Sequence, residues 1–268
     1  MKQYTYKDLE DMLVFFDVSK ETPLLLHSSL FSLGILKNVD TSDISRKLVE
    51  FFTLNLDSFF HPAFNYNFPQ TGFIDLTLPN SEVGILANEM IKQEYSRSTH
   101  PMFSFVGNND DLLQPQIKEL NPFGKNSFLD RFTENDGVII AMGAEPYVIT
   151  HIIYAEFMAN VKYRFLKPFY GEIKTTHNIF KDNFFHFAFP KNGGYNHNYY
   201  DFYTYLLNNN IAKEFKIGAS KAYGFKVSQF NKEIIEYTRN NPFRLLDKEP
   251  LYYYKWIDNM EVPVEKID

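Results

Sequence analysis

Cysteine is absent from the 268 residues, which removes disulfides, thiolate metal ligands and a thiol nucleophile together. Long apolar runs are missing as well. The best of them, Gly137 to Met142, is strand-sized and far short of the roughly 20 residues a membrane helix needs. The opening residues, Met1 to Glu10, lack the apolar stretch of a secretory signal, so a cytoplasmic location is expected. Positive charge is in deficit, with 27 Lys and Arg against 33 Asp and Glu and a net charge of −6. That balance argues against nucleic acid as the main partner, since phosphate backbones select basic faces. It leaves room for a local basic pocket. None of the seven histidines stands at metal-ligand spacing with acidic support, so no metal site is expected.

What the chain has in excess is aromatic side chains, 28 Phe and 18 Tyr. Two explanations compete. One is drift of Phe for Leu and Tyr for His under AT-rich coding, in keeping with the abundant Lys, Asn and Ile; the other is an aromatic surface for sugars. With 44% hydrophobic and 22% charged residues the composition is that of a globular protein, and the length suits a single domain.

Periodicity places a helix at Tyr6 to Phe16, with Leu9, Met12, Leu13 and Phe16 on one side. Leu24 to Leu26 reads as a short buried strand, and Thr41-Ser42-Asp43 as a helix start capped by Ser42 or Asp43. A second strand follows at Phe59 to Phe64, and Pro79-Asn80-Ser81-Glu82 opens a helix through Met90. Asn126-Ser127 caps a short helix to Phe132. Val138 to Gly143 is the clearest buried strand, followed by helix from Thr150 to Asn160. Strands alternating with helices indicate a three-layer α/β/α fold with a central mixed sheet. Beyond about residue 170 the pattern loosens into a less regular C-terminal lobe. It holds one or two strands between Lys174 and Pro190 and helices at Tyr199 to Leu207 and Asn231 to Asn240.

The loop after the first strand, His27-Ser28-Ser29-Leu30-Phe31-Ser32-Leu33-Gly34, is built of small and hydroxyl residues. Such a loop lets backbone N–H groups converge on one spot, and a helix N-terminus behind it favours an anion. A serine-rich turn with nothing bound has the same signature.

An ordered set of landmarks narrows the choice. Leu26 to Gly34 resembles the His-Ser-Ser-Leu-Ser-Ser-Leu-Gly loop of the aminoglycoside 3-N-acetyltransferases. Pro62-Ala63-Phe64-Asn65 resembles that family's Pro-x-Phe segment, and Pro79-Asn80-Ser81 with Gly84 its Pro-Ser-x-x-Gly helix start. Arg97-Ser98, His100-Pro101 and Ser104, then Phe123-Gly124 with Ser127, then Asp136-Gly137-Val138 with Gly143, and finally Tyr154-Ala155-Glu156, continue the series in order. The resemblance runs from about residue 20 to 170.

It implies acetyl-CoA or another acyl-CoA as donor, and a primary amine that attacks the thioester directly. It sets the pyrophosphate against the turn His27, Ser28, Ser29, Leu30, Phe31, Ser32, Leu33 and Gly34, and the pantetheine toward Arg97, Ser98, Ser104, Phe123 and Ser127. Phe64, Asn65, Tyr154 and Arg164 are implied on the acceptor side. Residues 1–170 would then be the CoA-binding portion and 171–268 the acceptor-side portion of one domain. A homodimer is left open.

A sugar amine is largely protonated at neutral pH, and histidine is suited to relieve it of that proton. The family commonly has a histidine three residues before the glutamate; here that position is Ile153. His151 lies two residues earlier, about 200° away around a regular helix. His151 and His100 are the candidate bases. Glu156 would orient one of them or contact the amine, or would instead pair with Arg97 or Arg164. His27, His61, His177 and His186 read as structural residues, and His197 as a turn residue.

For the acceptor, Tyr163-Arg164, Lys167 and Phe169, with Asn241-Pro242-Phe243 and Leu245-Leu246, resemble family members from cell-surface polysaccharide pathways. That implies a nucleotide-linked amino sugar. Arg164, Lys167, Lys174, Lys213, Lys216 and Lys221 suit a sugar diphosphate better than a polycationic aminoglycoside. The alternatives are an aminoglycoside-modifying enzyme on the same scaffold and a non-catalytic homologue that binds CoA or sugar.

Overall fold

A computed structural model describes residues 2–267. Seven strands form a mixed sheet in the spatial order Lys213–Ile217, Ser220–Lys226, Val138–Met142, Leu24–Ser28, Phe59–Pro62, Phe105–Gly107 and Ser96–Arg97. Leu24–Ser28 lies parallel to both its neighbours, and every other pairing in this sheet is antiparallel. The three parallel strands are apolar almost throughout because both faces of the sheet are covered.

Alternation decides which core each residue joins. Leu24 and Leu26 face one core, closed by helices Tyr6–Phe15, Ile44–Asn55 and Ile85–Lys92. Leu25 faces the other, closed by helices Phe128–Glu134, His151–Met158, Tyr199–Asn208 and Val227–Thr238. This is the expected α/β/α layering. Ten of the twelve largest fully buried side chains are Phe, so much of the aromatic surplus fills core positions that Leu would otherwise take.

A second sheet joins Phe165–Lys174 to Ile179–Ala188 antiparallel and to Phe73–Asp75 parallel. Against it packs a hairpin, Tyr252–Ile257 with Met260–Lys266, whose Trp256 stacks on Phe165. The C-terminal portion is therefore more regular than its sequence suggests. Two of its strands extend the central sheet beyond Val138–Met142, which a reading of local periodicity did not anticipate.

Two helix starts differ from expectation. Thr41–Asp43 is a 3-10 turn capped by Asp40, whose side chain accepts from the Ser42 N–H, and the α-helix begins at Ile44. The helix expected from Pro79 begins at Ile85, because Ser81 is tied to Val83 and Asn88 in the preceding loop. Among the described residues no helix is long and apolar enough to cross a membrane.

Candidate active site

Strands Leu24–Ser28, Phe59–Pro62 and Val138–Met142 end at one edge of the sheet, the edge where open α/β sheets gather ligands. The turn after Ser28 is held there on three sides. The Ser29 N–H donates to the Met142 carbonyl at 2.9 Å, and the Ala219 N–H to the Leu33 carbonyl at 2.8 Å. Gly34 has a φ of 96°, and a Cβ on it would lie 2.2 Å from the Lys2 carbonyl oxygen. Gly143 has a φ of 69°, and a Cβ there would lie 2.6 Å from the Ser29 oxygen. Both positions need glycine for conformation and for room.

Opposite the turn, helix Ile85–Lys92 begins at Gly84 with no side-chain cap. Its free first-turn N–H groups and the positive end of its dipole face a cavity of about 320 Å³ lined by Ser28, Ser29, Leu30, Phe31, Gly84 and Ile85, among others. Phe31 is 89% exposed beside it. Ser28 Oγ lies 3.0 Å from His61 Nε2, and His61 Nδ1 2.9 Å from the Pro62 carbonyl oxygen. Burial pushes the His61 pKa down to about 4. Ser32 bonds Ser29 through their hydroxyls, 3.0 Å apart, whereas Leu33 is core. His27 is buried, and burial followed by its neighbours His61 and His151 pushes its pKa down to about 3.

A second cleft, of about 450 Å³, opens where helix His151–Met158 faces the second sheet. Ile149, Ile152, Ile153, Phe169 and Phe189 supply apolar wall, and Arg164, Lys167, Lys191, His186, His197, Tyr199 and Glu261 the polar part. Behind the wall, Glu156 is wholly buried. It accepts from the hydroxyls of Tyr163 at 2.8 Å and Tyr199 at 3.0 Å, and pairs with Arg164 Nε at 2.9 Å. Arg164 also donates to the Phe187 carbonyl and the Tyr199 hydroxyl, and lies 3.9 Å over the Phe189 ring. Burial alone would lower the Arg164 pKa, but Glu156, then Tyr199 and Tyr163, hold it above the ordinary value. Burial foremost, with Glu156 adding to it and Arg164 opposing it, pushes the Tyr199 and Tyr163 hydroxyls up. Glu156 thus has the arginine partner that was one of its two sequence readings.

The two candidate bases lie outside this cleft. His100 is buried, its Nδ1 accepts from the N–H groups of Met102 and Phe103, and its Nε2 donates to the Phe185 carbonyl. Both nitrogens are occupied, which makes His100 a brace for its loop. His151 is buried on the opposite side of its helix from Ile153, with Nε2 3.0 Å from Asn231 Oδ1 and its ring against Tyr154 and Phe230. Burial pushes its pKa down to about 4. The helix starts at His151, so the 200° offset is real, and Ile153, with Ile152, reaches the cleft where His151 does not.

Most residues set along the pantetheine serve as framework. Arg97 is buried with no carboxylate partner among the described residues; it donates to Ser104, to Asn80 and to the Leu76 and Ala63 carbonyls, and burial pushes its pKa down to about 9. It borders a different cavity, with Thr77, Tyr95 and Thr175. Ser98 accepts from the Phe105 N–H, and Ser127 caps helix Phe128–Glu134. Phe64 and Phe123 are core, Asn65 donates to the Asn80 carbonyl, and the Tyr154 hydroxyl donates to Asp130. Of the acceptor-side set only Arg164 lines the second cleft.

Lys191, Tyr199 and Glu261 are cleft residues that the sequence does not single out, and His186 and His197, expected as a structural and a turn residue, line the cleft as well. One signal existed: in Phe184-Phe185-His186-Phe187-Ala188 the period of two sets His186 on the face of Ala188, which also lines the cleft. The others sit on separate loops and a remote hairpin, and nothing local connects them.

The chain matches the family described as Aminoglycoside 3-N-acetyltransferase over residues 61–239. No curated protein matches it. Among solved structures it is similar to AAC-IIIb in a binary complex with CoASH, at a TM-score of 0.72 and 14% identity, covering 89% of this chain and 97% of that one. It is also similar to a variant of aminoglycoside acetyltransferase AAC(3)-IVa in complex with apramycin, at 0.67 and 18%, covering 90% and 95%. The YokD protein from Bacillus subtilis aligns at 0.65 and 14%, covering 90% and 95%. At these identities the likeness establishes the fold.

Proposed function

We propose that this chain, which belongs to the aminoglycoside 3-N-acetyltransferase family, carries an acetyl or similar acyl group from acyl-CoA to the primary amine of a sugar. The observation that supports the donor side is the turn Ser28 to Phe31 facing the uncapped N-terminus of helix Ile85–Lys92 across a cavity, an arrangement suited to a pyrophosphate. Residues 171–268 supply most of the polar wall of the second cleft, which suits an acceptor-side role for that portion.

For the acceptor, the charge of that cleft favours a nucleotide-linked amino sugar. Arg164, Lys167 and Lys191 line it against one carboxylate, Glu261, and a polycation would meet repulsion there. The second reading is an aminoglycoside, and the family description and the apramycin complex of the AAC(3)-IVa variant speak for it. Thiol release from acetyl-CoA, measured with gentamicin, apramycin, and UDP- and dTDP-linked amino sugars, separates the two. Turnover only with the aminoglycosides would reverse the acceptor assignment. Tight CoA binding with no thiol release from any amine would favour a non-catalytic binding protein.

A further inference from the structure

An alkylammonium entering the second cleft finds, among the described residues, no carboxylate free to receive it. Glu156 is buried behind the wall with both oxygens engaged by Tyr163, Tyr199 and Arg164. Glu261, on the C-terminal hairpin, accepts from the Lys191 N–H at 2.8 Å and lies 4.0 Å from the Lys167 ammonium. The other charged or titratable groups facing the cleft come from every element around it. They are Tyr147 before helix His151–Met158, Arg164 and Lys167 at and near the start of strand Phe165–Lys174, His186 on strand Ile179–Ala188, Lys191 in the next turn, and His197 and Tyr199 at the start of helix Tyr199–Asn208. Three fixed cations line the cleft against one carboxylate, Glu261, and the rest of the wall is mostly apolar, chiefly isoleucine and phenylalanine.

We propose that this cleft selects the acceptor amine as its neutral free base, so that no side chain removes a proton before the attack. The inference rests on the acyl-transfer reading above and deepens it. The two cleft histidines respond to the same surroundings. His186 lies among Phe103, Phe123 and the cations, and is pushed down to about 3 by burial, then by Arg164 and Lys167. His197 is lowered by burial, then by Arg164. What disfavours an imidazolium disfavours an ammonium too.

The proton count closes without a protein base. The amine lone pair forms the C–N bond to the thioester carbonyl carbon, and the C–S electron pair leaves with coenzyme A. The one N–H proton the nitrogen gives up goes to the departing thiolate. A neutral amine and a thioester yield an amide and a thiol, with no proton left over. Ile153, where the helix meets the cleft, fits this economy, because an apolar wall there strengthens the preference for the uncharged amine.

The test is the pH profile of kcat/KM for the full chain with acetyl-CoA, using whichever amino sugar turns over and a fluorinated analogue whose amine is a weaker base. The expected profile rises about tenfold per pH unit below the solution pKa of each amine and levels off above it. Its midpoint moves with the amine, and stays with the amine in His186→Asn and His151→Asn whatever their absolute rates. A midpoint shared by both acceptors and displaced in either variant would identify a protein base and overturn the proposal. So would a fall in kcat/KM above the amine's own pKa, since the ammonium would then be the form that binds. Absence of thiol release at every pH would instead remove the acyl-transfer reading on which the proposal stands.

Discussion

Ser28 donates its hydroxyl proton to His61 across the 3.0 Å between Oγ and Nε2. The direction is set by the Pro62 carbonyl, 2.9 Å from His61 Nδ1. A carbonyl only accepts, so Nδ1 carries the ring hydrogen and Nε2 is the bare acceptor. Ser28 therefore offers lone pairs, not a proton, to the cavity it lines. A phosphate in that cavity would be gripped by backbone N–H groups and by Ser29. Ser28→Ala is expected to lower stability by about 1 kcal/mol in urea unfolding while leaving KM for acetyl-CoA nearly unchanged. A tenfold rise in that KM, about 1.4 kcal/mol of binding, would show that the hydroxyl turns toward the donor.

Phe31 stands 89% exposed at the rim of the same cavity. Removing an exposed ring should move stability by less than about 0.5 kcal/mol. The expectation for Phe31→Ala is an unaltered melting temperature with a several-fold higher KM for acetyl-CoA. Equal KM values would detach the ring from donor binding.

Glu156 and Arg164 form a buried pair whose partners are almost all protein groups. Taking away one charge strands the other in a low-dielectric site, at a cost of roughly 3–5 kcal/mol. Glu156→Gln should accordingly shift the urea midpoint far down. The double change Glu156→Leu with Arg164→Met should be less damaging than the single one. Equal stability of Glu156→Gln and the parent protein would contradict the pairing.

Acid should loosen this protein well above the pH at which its carboxylates titrate. Burial pushes His27 and His100 down to about 3 and His61 and His151 down to about 4. In the unfolded chain these rings protonate below about 6.5. The stability they lend is complete above that pH and is lost as pH falls toward 4 and 3, at up to about 1.4 kcal/mol per ring per pH unit. Glu119, pushed up to about 7 by burial, acts in the opposite sense, its contribution growing as pH falls below 7. Four rings outweigh one carboxyl, so the melting temperature should drop between pH 7 and pH 5. A flat or rising profile would show that the folded rings already accept protons.

The layered fold was legible because its signals are local. Val138 to Met142 is an unbroken apolar strand, Ser127 caps the helix before it, and small residues follow Leu24–Ser28. The turn at Ser28 could be found for the same reason. The second cleft could not, because it forms where distant segments meet. His186 sits in a strand whose aromatic alternation looks purely structural, and Glu261 arrives from a hairpin near the other end of the C-terminal portion. The roles expected of Arg97, Ser98, Ser104 and Ser127 came from motif order, and order does not disclose which way a side chain points. Each of these is spent on backbone or loop neighbours.

The hairpin of Tyr252–Ile257 and Met260–Lys266 lays Trp256 within 4.2 Å of the Lys167 ammonium and sets Glu261 in the cleft wall. On the proposed reading, donor and acceptor recognition draw on opposite ends of the polypeptide. Changes in the tail would then alter which amine is welcomed, while the grip proposed for the thioester carrier, fixed near the start, would be inherited intact.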